Sequence, residues 1–142
     1  MGNKSNKDVK KVLIQYKKAI YMVRDLSDQI AEQDSKMKTI KSPNYNGMPR
    51  GGTPYTLDDA IADKEELISR KLKFERIAKQ KKEIVQTYID TVMSVRHNRF
   101  LTLYYIKLYD VPEIAQREGY TERHVWRIYQ EALSMVDLSL DL

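Results

Sequence analysis

Between Thr121 and Gln130 the chain reads TERHVWRIYQ, and three of its side chains carry guanidinium or amide groups at helical spacing. Arg123 and Arg127 stand four residues apart, which on a helix puts them on one face. That pair suits one phosphate and one guanine edge, where an arginine bonds O6 and N7 together. Gln130, one turn later, pairs with adenine or with a phosphate. Glu122 accepts from cytosine N4 or, as a first-turn residue, complements the helix dipole. The chemistry on offer is recognition.

Catalysis finds less support. The two histidines, His97 and His124, fall on different predicted helices, and no HxxxH, DxD or nucleophile-with-base spacing occurs. Asp58-Asp59 and Glu65-Glu66 read as solvated charge on a helix surface. The expectation is a protein that is not an enzyme, with no cofactor and no metal. The chain has no Cys, which excludes disulfides and thiolate metal sites and makes an intracellular home the default. No apolar stretch approaches the roughly 18 residues that a membrane span needs. The start, MGNKSN, lacks the apolar run of a signal peptide, and Asn6 stands where a myristoylation signal needs Ser or Thr. A soluble cytoplasmic protein without membrane contact is expected.

The residues from Thr121 onward need a helix with a defined start. Thr121 is an N-cap residue whose side-chain oxygen accepts from the first turn. Val125, Ile128, Ala132 and Val136 then recur at spacings of three and four, with Leu133 at the edge, leaving the opposite side to Glu122, Arg123, Trp126, Arg127 and Gln130. This predicts a helix from Glu122 to about Val136. Before it, Gly119 supplies the positive φ that ends a short helix over Pro112–Arg117, with Pro112 at a first helical position and Ile114 and Ala115 inward. A further helix is predicted over Asn98–Tyr109, too dense in apolar groups to be exposed. Two short helices about a tight turn are either a helix-turn-helix that reads DNA or a plain helical hairpin.

Upstream, glycine and proline concentrate in SPNYNGMPRGGTPY, Ser42 to Tyr55, which marks a loop between two long helical segments. In the first segment Val9, Tyr16, Val23, Ile30 and Met37 repeat every seven residues, with Val12, Ala19, Leu26, Gln33 and Ile40 three residues later. This is a coiled-coil-like period. Its other faces carry Lys10, Lys11, Lys17 and Lys18, either a solvated face or a surface for the DNA backbone. The second segment starts near Thr56, a plausible N-cap. Leu67, Phe74, Ala78, Val85, Ile89 and Val92 form one stripe; Ile77, Ile84, Tyr88 and Val95 form an adjacent one; Ile61, Ile68 and Leu72 form a shorter strip on another side. So much apolar girth asks for more than one neighbour, and a homodimer through the long helices is expected, with Ile77, Ile84 and Tyr88 at its contact. The competing account folds the C-terminal helices over this stripe. The loop's Arg50-Gly51-Gly52 has a phosphate-cradling composition, but without GKS or GKT and without a preceding strand the Walker reading fails. The expected organisation is a basic helix over 1–41, a Gly/Pro-rich loop over 42–57, a long amphipathic helix over 58–96, a helix-turn-helix unit over 97–136 and a tail over 137–142. The fold class is all-α.

Charge is unevenly placed. Residues 1–57 carry 11 Lys/Arg against 5 Asp/Glu, while residues 96–142 carry 6 against 7, within an overall net charge of +5. Phosphate neutralisation supplies much of the affinity for DNA. A reader built on the C-terminal helices must therefore borrow affinity from the other part of the chain or from a partner.

The stretch EIAQREGYTERHVWRIYQEAL resembles region 4 of sigma factors and related helix-turn-helix regulators: E-I-A, a short gap, Gly, a capping Ser/Thr, a central aliphatic residue and a late A-L. LTLYYIKLYDV before it looks like the first helix of such domains, so that the match covers about 40 residues. The order of parts is narrower still. A basic helix, the P-x-Y-x-G-M-P-R-G loop, a long Lys/Glu helix and this end together resemble the RinA/ArpU-like phage transcriptional regulators of Gram-positive bacteria. The resemblance implies a phage- or prophage-encoded protein that activates late or packaging genes by binding upstream double-stranded DNA. It carries the DNA-facing surface over to Thr121, Glu122, Arg123, His124, Trp126, Arg127 and Gln130. Trp126 departs from the pattern, since related domains often place Lys or Arg there; it either stacks on sugar or packs at a helix–helix contact. His124 reads as a polar surface residue. Lys10, Lys11, Lys17, Lys18, Arg50, Arg96 and Arg99 are candidate backbone contacts, the RHNR run at 96–99 being alternatively a solvated helix junction. Two other functions fit the same parts: a small terminase-like subunit that recognises DNA for packaging, and a sigma-like module that engages RNA polymerase without reading bases.

Overall fold

The computed structural model describes residues 5–41 and 54–140, and their regular structure is all α-helical. Arg50 and most of the Gly/Pro-rich loop lie outside the described residues. The helices are α1 (Asn6–Leu13), α2 (Gln15–Lys41), α3 (Leu57–Ile89), α4 (Val95–Tyr105), α5 (Val111–Glu118) and α6 (Glu122–Met135). Two compact units divide the chain, one of Met1–Ala19 with Ile77–Leu142 and the other of Ile20–Arg76. The first turns of the basic N-terminal helix thus belong with the C-terminal helices, where the sequence reading set one basic helix over 1–41 apart from the helix-turn-helix unit.

α1 and α2 are one bent helix. The Ile14 amide donates to the Lys10 carbonyl and Lys18 to Ile14, both at 3.0 Å, so the ladder is kept across the junction. At the bend the Gln15 side-chain amide donates to the Val12 carbonyl, 3.0 Å away. A side chain inserted beside the ladder is a recognised source of such a kink.

In the unit of Ile20–Arg76 the two long helices run antiparallel, Lys36 meeting Tyr55 while Gln33 meets Ala60. Leu26 and Ala60 are fully buried there. Gln33 takes a core position of the seven-residue pattern and is buried, which a polar side chain tolerates only when hydrogen-bonded. Its amide donates to the Ala60 carbonyl and to the Tyr55 hydroxyl, both at 3.0 Å. Tyr55 in turn donates to Asp63 at 2.5 Å, and Lys64 pairs with Asp34 at 2.6 Å. Thr56 is the N-cap expected for α3: its hydroxyl accepts from the Asp59 amide, and the Asp59 carboxylate accepts from the Thr56 amide.

In the other unit Val9 and Leu13 of α1, Val85 and Ile89 of α3, and the inner faces of α4, α5 and α6 form one core. The buried face of α6 is the expected one, Val125, Ile128, Ala132 and Leu133, followed by Val136. Tyr105 and Tyr129 bury their hydroxyls against each other at 2.6 Å, and burial pushes both phenols above their usual range, Tyr105 the more strongly. The stripe of Ile77, Ile84 and Tyr88 is half-buried. Tyr88 packs on the core, and its hydroxyl donates to the Leu140 carbonyl at 3.4 Å. At Tyr88, therefore, the C-terminal segment supplies cover that the sequence assigned to a second chain.

Two boundaries differ from expectation. α3 ends at Ile89, seven residues before the predicted limit, and Asn98 explains how: its amide donates to the carbonyls of Ile89 and Val92, each at 3.2 Å. The Ile89 carbonyl belongs to the last turn, whose acceptors have no partner within the helix, and it also accepts from the Val92 amide at 2.9 Å. Val95 consequently leaves the α3 stripe, opens α4 and is exposed. α4 is also shorter than the Asn98–Tyr109 segment predicted. Leu108 takes a left-handed backbone (φ 63°), and the Thr102 and Leu103 carbonyls accept from Lys107 and Tyr109 at 3.0 Å. No glycine stands at that point to signal the stop.

Candidate nucleic-acid interface on the last helix

α5 and α6 enclose a turn whose geometry follows from three residues. Asp110 caps α5 in a reciprocal box with Glu113, so Pro112 sits one position inside the helix start. Gly119 closes α5 in the left-handed region (φ 71°), and Thr121 caps α6 by accepting from the His124 amide at 3.1 Å. A non-glycine residue at Gly119 would meet no atom within 4 Å, so the need for glycine is one of backbone conformation alone.

Beyond that turn Thr121, Arg123, His124 and Arg127 line a shallow concavity of about 350 Å³. Glu122, Arg123, Arg127 and Gln130 are all exposed on the solvent side of α6. His124 is held in place. Its Nδ1 accepts from the Arg127 guanidinium at 2.7 Å, which puts the ring proton on Nε2, and its ring meets the edge of Tyr120 at 4.7 Å. Trp126 is 48% exposed and leans on Tyr129, ring centres 5.7 Å apart. It lies outside the helix–helix core, which disfavours the packing alternative. Gln130 is partly committed, because its side-chain carbonyl accepts from Asn6 of α1 at 3.2 Å.

The candidate backbone cations divide. Lys10 lies over the Tyr129 ring at 5.4 Å and Lys17 over the Tyr104 ring at 5.6 Å, so both cations sit on the aromatic side of this unit. Lys11 and Lys18 are exposed. Arg99 donates from Nε to Glu118 at 2.6 Å and ties α4 to α5. Arg96 is exposed at the mouth of an apolar cleft of about 300 Å³ floored by Phe100, Ile114, Val125 and Ile128.

The middle of the RHNR run is neither a solvated junction nor a backbone patch. His97 is buried: Nδ1 lies 2.6 Å from the Ser94 hydroxyl and Nε2 2.8 Å from the Glu131 carboxylate. A hydroxyl, an imidazole and a carboxylate in line are also the parts of a nucleophilic site. Here they join the start of α4 to α6. The pairing missed in the sequence is long-range, between His97 and Glu131; Ser94, three residues before His97, is its local half. The His97 hydrogen bond, with the charges of His97, Arg127 and Arg96, holds Glu131 below the usual glutamate range. A depressed carboxylate stabilises the fold above its unfolded value and loses that contribution as pH falls through its folded one. Urea unfolding of the protein should therefore weaken as the buffer passes below the ordinary glutamate range, and Glu131→Gln should weaken less over the same interval. Equal pH dependence in the two would show that the tie carries no linkage.

Among the described residues no helix is long and apolar enough to cross a membrane, and no three His, Cys, Asp or Glu side chains gather as a metal site. Comparisons with family models, with curated proteins and with solved structures gave no match.

Proposed function

We propose that the protein is a DNA-binding transcriptional regulator, an activator of phage late genes, that reads duplex DNA through α6 in the cytoplasm of the bacterial host. The observation that carries this reading is the solvent face of α6. It begins at a capped, glycine-defined turn and presents Arg123 and Arg127 beside Thr121 and His124 around one concavity. A helix entering the major groove contacts base edges mainly with its N-terminal residues, where these side chains stand. Arg123, Arg127 and Gln130 take base or phosphate contacts, and Trp126 stacks on sugar.

The charge imbalance also fits. α1 packs beside α6 through Asn6–Gln130 and Lys10–Tyr129, so the basic N-terminal turns sit in the same unit as the reading helix. They supply the sequence-independent affinity that residues 96–142 lack. In this reading the chain is not an enzyme, Ser94, His97 and Glu131 are an anchor, and the long helices carry a homodimer. The near-neutral, slightly acidic 96–142 segment favours one other function, a sigma-like module docking on RNA polymerase without reading bases.

Footprinting on fragments of the genome that encodes the protein tests the reading. Protection of a discrete site upstream of a gene block is expected. Retention of every fragment alike, or of none, would overturn it in favour of the polymerase-docking function.

A further inference from the structure

Three helices each turn one face to the apolar cleft of about 300 Å³ in the C-terminal unit. α5 supplies Ile114 and Glu118, four residues apart, and α6 supplies Val125 and Ile128, three apart. The residues from α4 run from Val95 to Leu103 and span about 140° of that helix, at roughly 100° per residue, with Arg96 and Arg99 both inside the arc. The floor is uniformly apolar. Phe100, Ile114, Val125 and Ile128 are buried there, and their side chains offer a ligand no hydrogen bond.

The rim is cationic. Arg96 and Arg99 stand against Glu118, two positive charges to one negative, a net of +1. Glu118 accepts from Nε of Arg99 at 2.6 Å, which uses one of the five donors of that guanidinium. Arg96 forms no ion pair among the described residues. Its charge acts on Glu131, whose carboxylate already bonds Nε2 of His97 at 2.8 Å. The walls are set in advance. The Arg99–Glu118 bond ties α4 to α5, and Tyr120 walls the cleft at the turn with its ring centred 4.7 Å from that of His124. A preformed apolar cleft with a few converging polar groups is the usual form of a small-molecule site, and about 300 Å³ is the lower end of the range.

We infer that this cleft binds a small amphipathic anion, an aromatic or aliphatic carboxylate. Its apolar body lies on Phe100, Ile114, Val125 and Ile128, and its carboxylate meets Arg96 and the unused donors of Arg99. A polar body would lose its water on that floor and gain no hydrogen bond, which is costly. A cation would meet two guanidiniums. A carboxylate matches the guanidinium fork in both charge and geometry. At the ~30 Å³ that a water takes in the liquid, the cleft holds roughly ten non-hydrogen atoms, the size of a bicyclic aromatic ring. An apolar side chain from a partner protein could fill the floor, but it brings the rim arginines no acceptor of its own. The site goes beyond the reading of DNA and needs no part of it.

Calorimetric titration of the full chain at neutral pH, without DNA, tests the inference with 2-naphthoate and its neutral counterpart 2-naphthylmethanol. Saturable binding of one 2-naphthoate per chain is expected, roughly tenfold tighter than the alcohol, as a charge-assisted hydrogen bond provides. Arg96→Gln should remove most of that difference by weakening the acid alone. Val95→Glu sets a carboxylate at the rim, at a position 82% exposed, and should weaken the acid about tenfold through like charge. Both changes are at exposed positions, and circular dichroism is expected to show helix content unchanged. Failure of 2-naphthoate to bind overturns the inference and leaves the cleft to a partner's side chain. Equal affinity for acid and alcohol overturns the role of the arginines. Acid binding that survives both substitutions places the site elsewhere and overturns it as well. None of these outcomes depends on the footprint, so DNA recognition is judged separately.

Discussion

Leu133→Ala should cost the C-terminal unit about 2–5 kcal/mol, the range for truncating a fully buried leucine where the surroundings cannot close the cavity. Leu133 has no solvent exposure and belongs to a core fed by α1, α3, α4, α5 and α6. The loss is large because five helices meet there and none can move inward without disturbing the others. Against a typical total of about 5–15 kcal/mol, it removes a substantial fraction of the fold's stability. Trp126→Ala, seven residues earlier on the same helix, provides the comparison. That side chain is far larger, yet about half of it is in water and it leans on Tyr129 at the edge of the core, so its loss should cost less than about 1 kcal/mol. Urea melts followed by circular dichroism would compare the two. Equal costs would mean that the difference in burial between Leu133 and Trp126 does not hold in solution.

That assignment was legible in the sequence because α6 obeys local rules. Thr121 caps it, Gly119 precedes it in a conformation that glycine favours, and Val125, Ile128 and Ala132 keep helical spacing throughout. Local rules failed where side chains far apart in the chain settle an end. The apolar period of α3 continues through Val92 to Val95, and nothing nearby marks Ile89 as its last residue. Asn98 closes that end, its amide donating to the Ile89 carbonyl of the last turn and to the Val92 carbonyl just beyond it. Leu108 likewise ends α4 by adopting a left-handed backbone in a residue type that rarely signals one. His97 read as part of a solvated run because its acceptor, Glu131, is 34 positions away. The sequence also separated the basic helix from the reading helix. Asn6 and Lys10 instead pack on α6, and that closeness lets one unit hold the non-specific cations and the candidate base contacts together.

Arg127→Ala should cost about 1–3 kcal/mol of specific binding, five- to 150-fold in Kd, and relax preference at one base position. Arg127 stands one turn after Arg123 on the exposed face and already orients its guanidinium by donating to Nδ1 of His124. A fork fixed in this way loses less side-chain entropy on meeting a guanine edge than a freely moving one. The substitution also releases His124, so His124→Ala alone should show a smaller loss at the same base position. Replacing Lys10, Lys11, Lys17 and Lys18 together should look different. Cations that neutralise phosphates weaken all duplexes alike and flatten the dependence of log K on log salt. Titrations of a footprinted site and a scrambled duplex, each at several salt concentrations, separate the two patterns. If Arg127→Ala weakened both duplexes equally and lowered the salt slope by about one, its guanidinium would be a phosphate contact. Base discrimination would then have to come from Arg123 and Glu122, nearer the start of the helix.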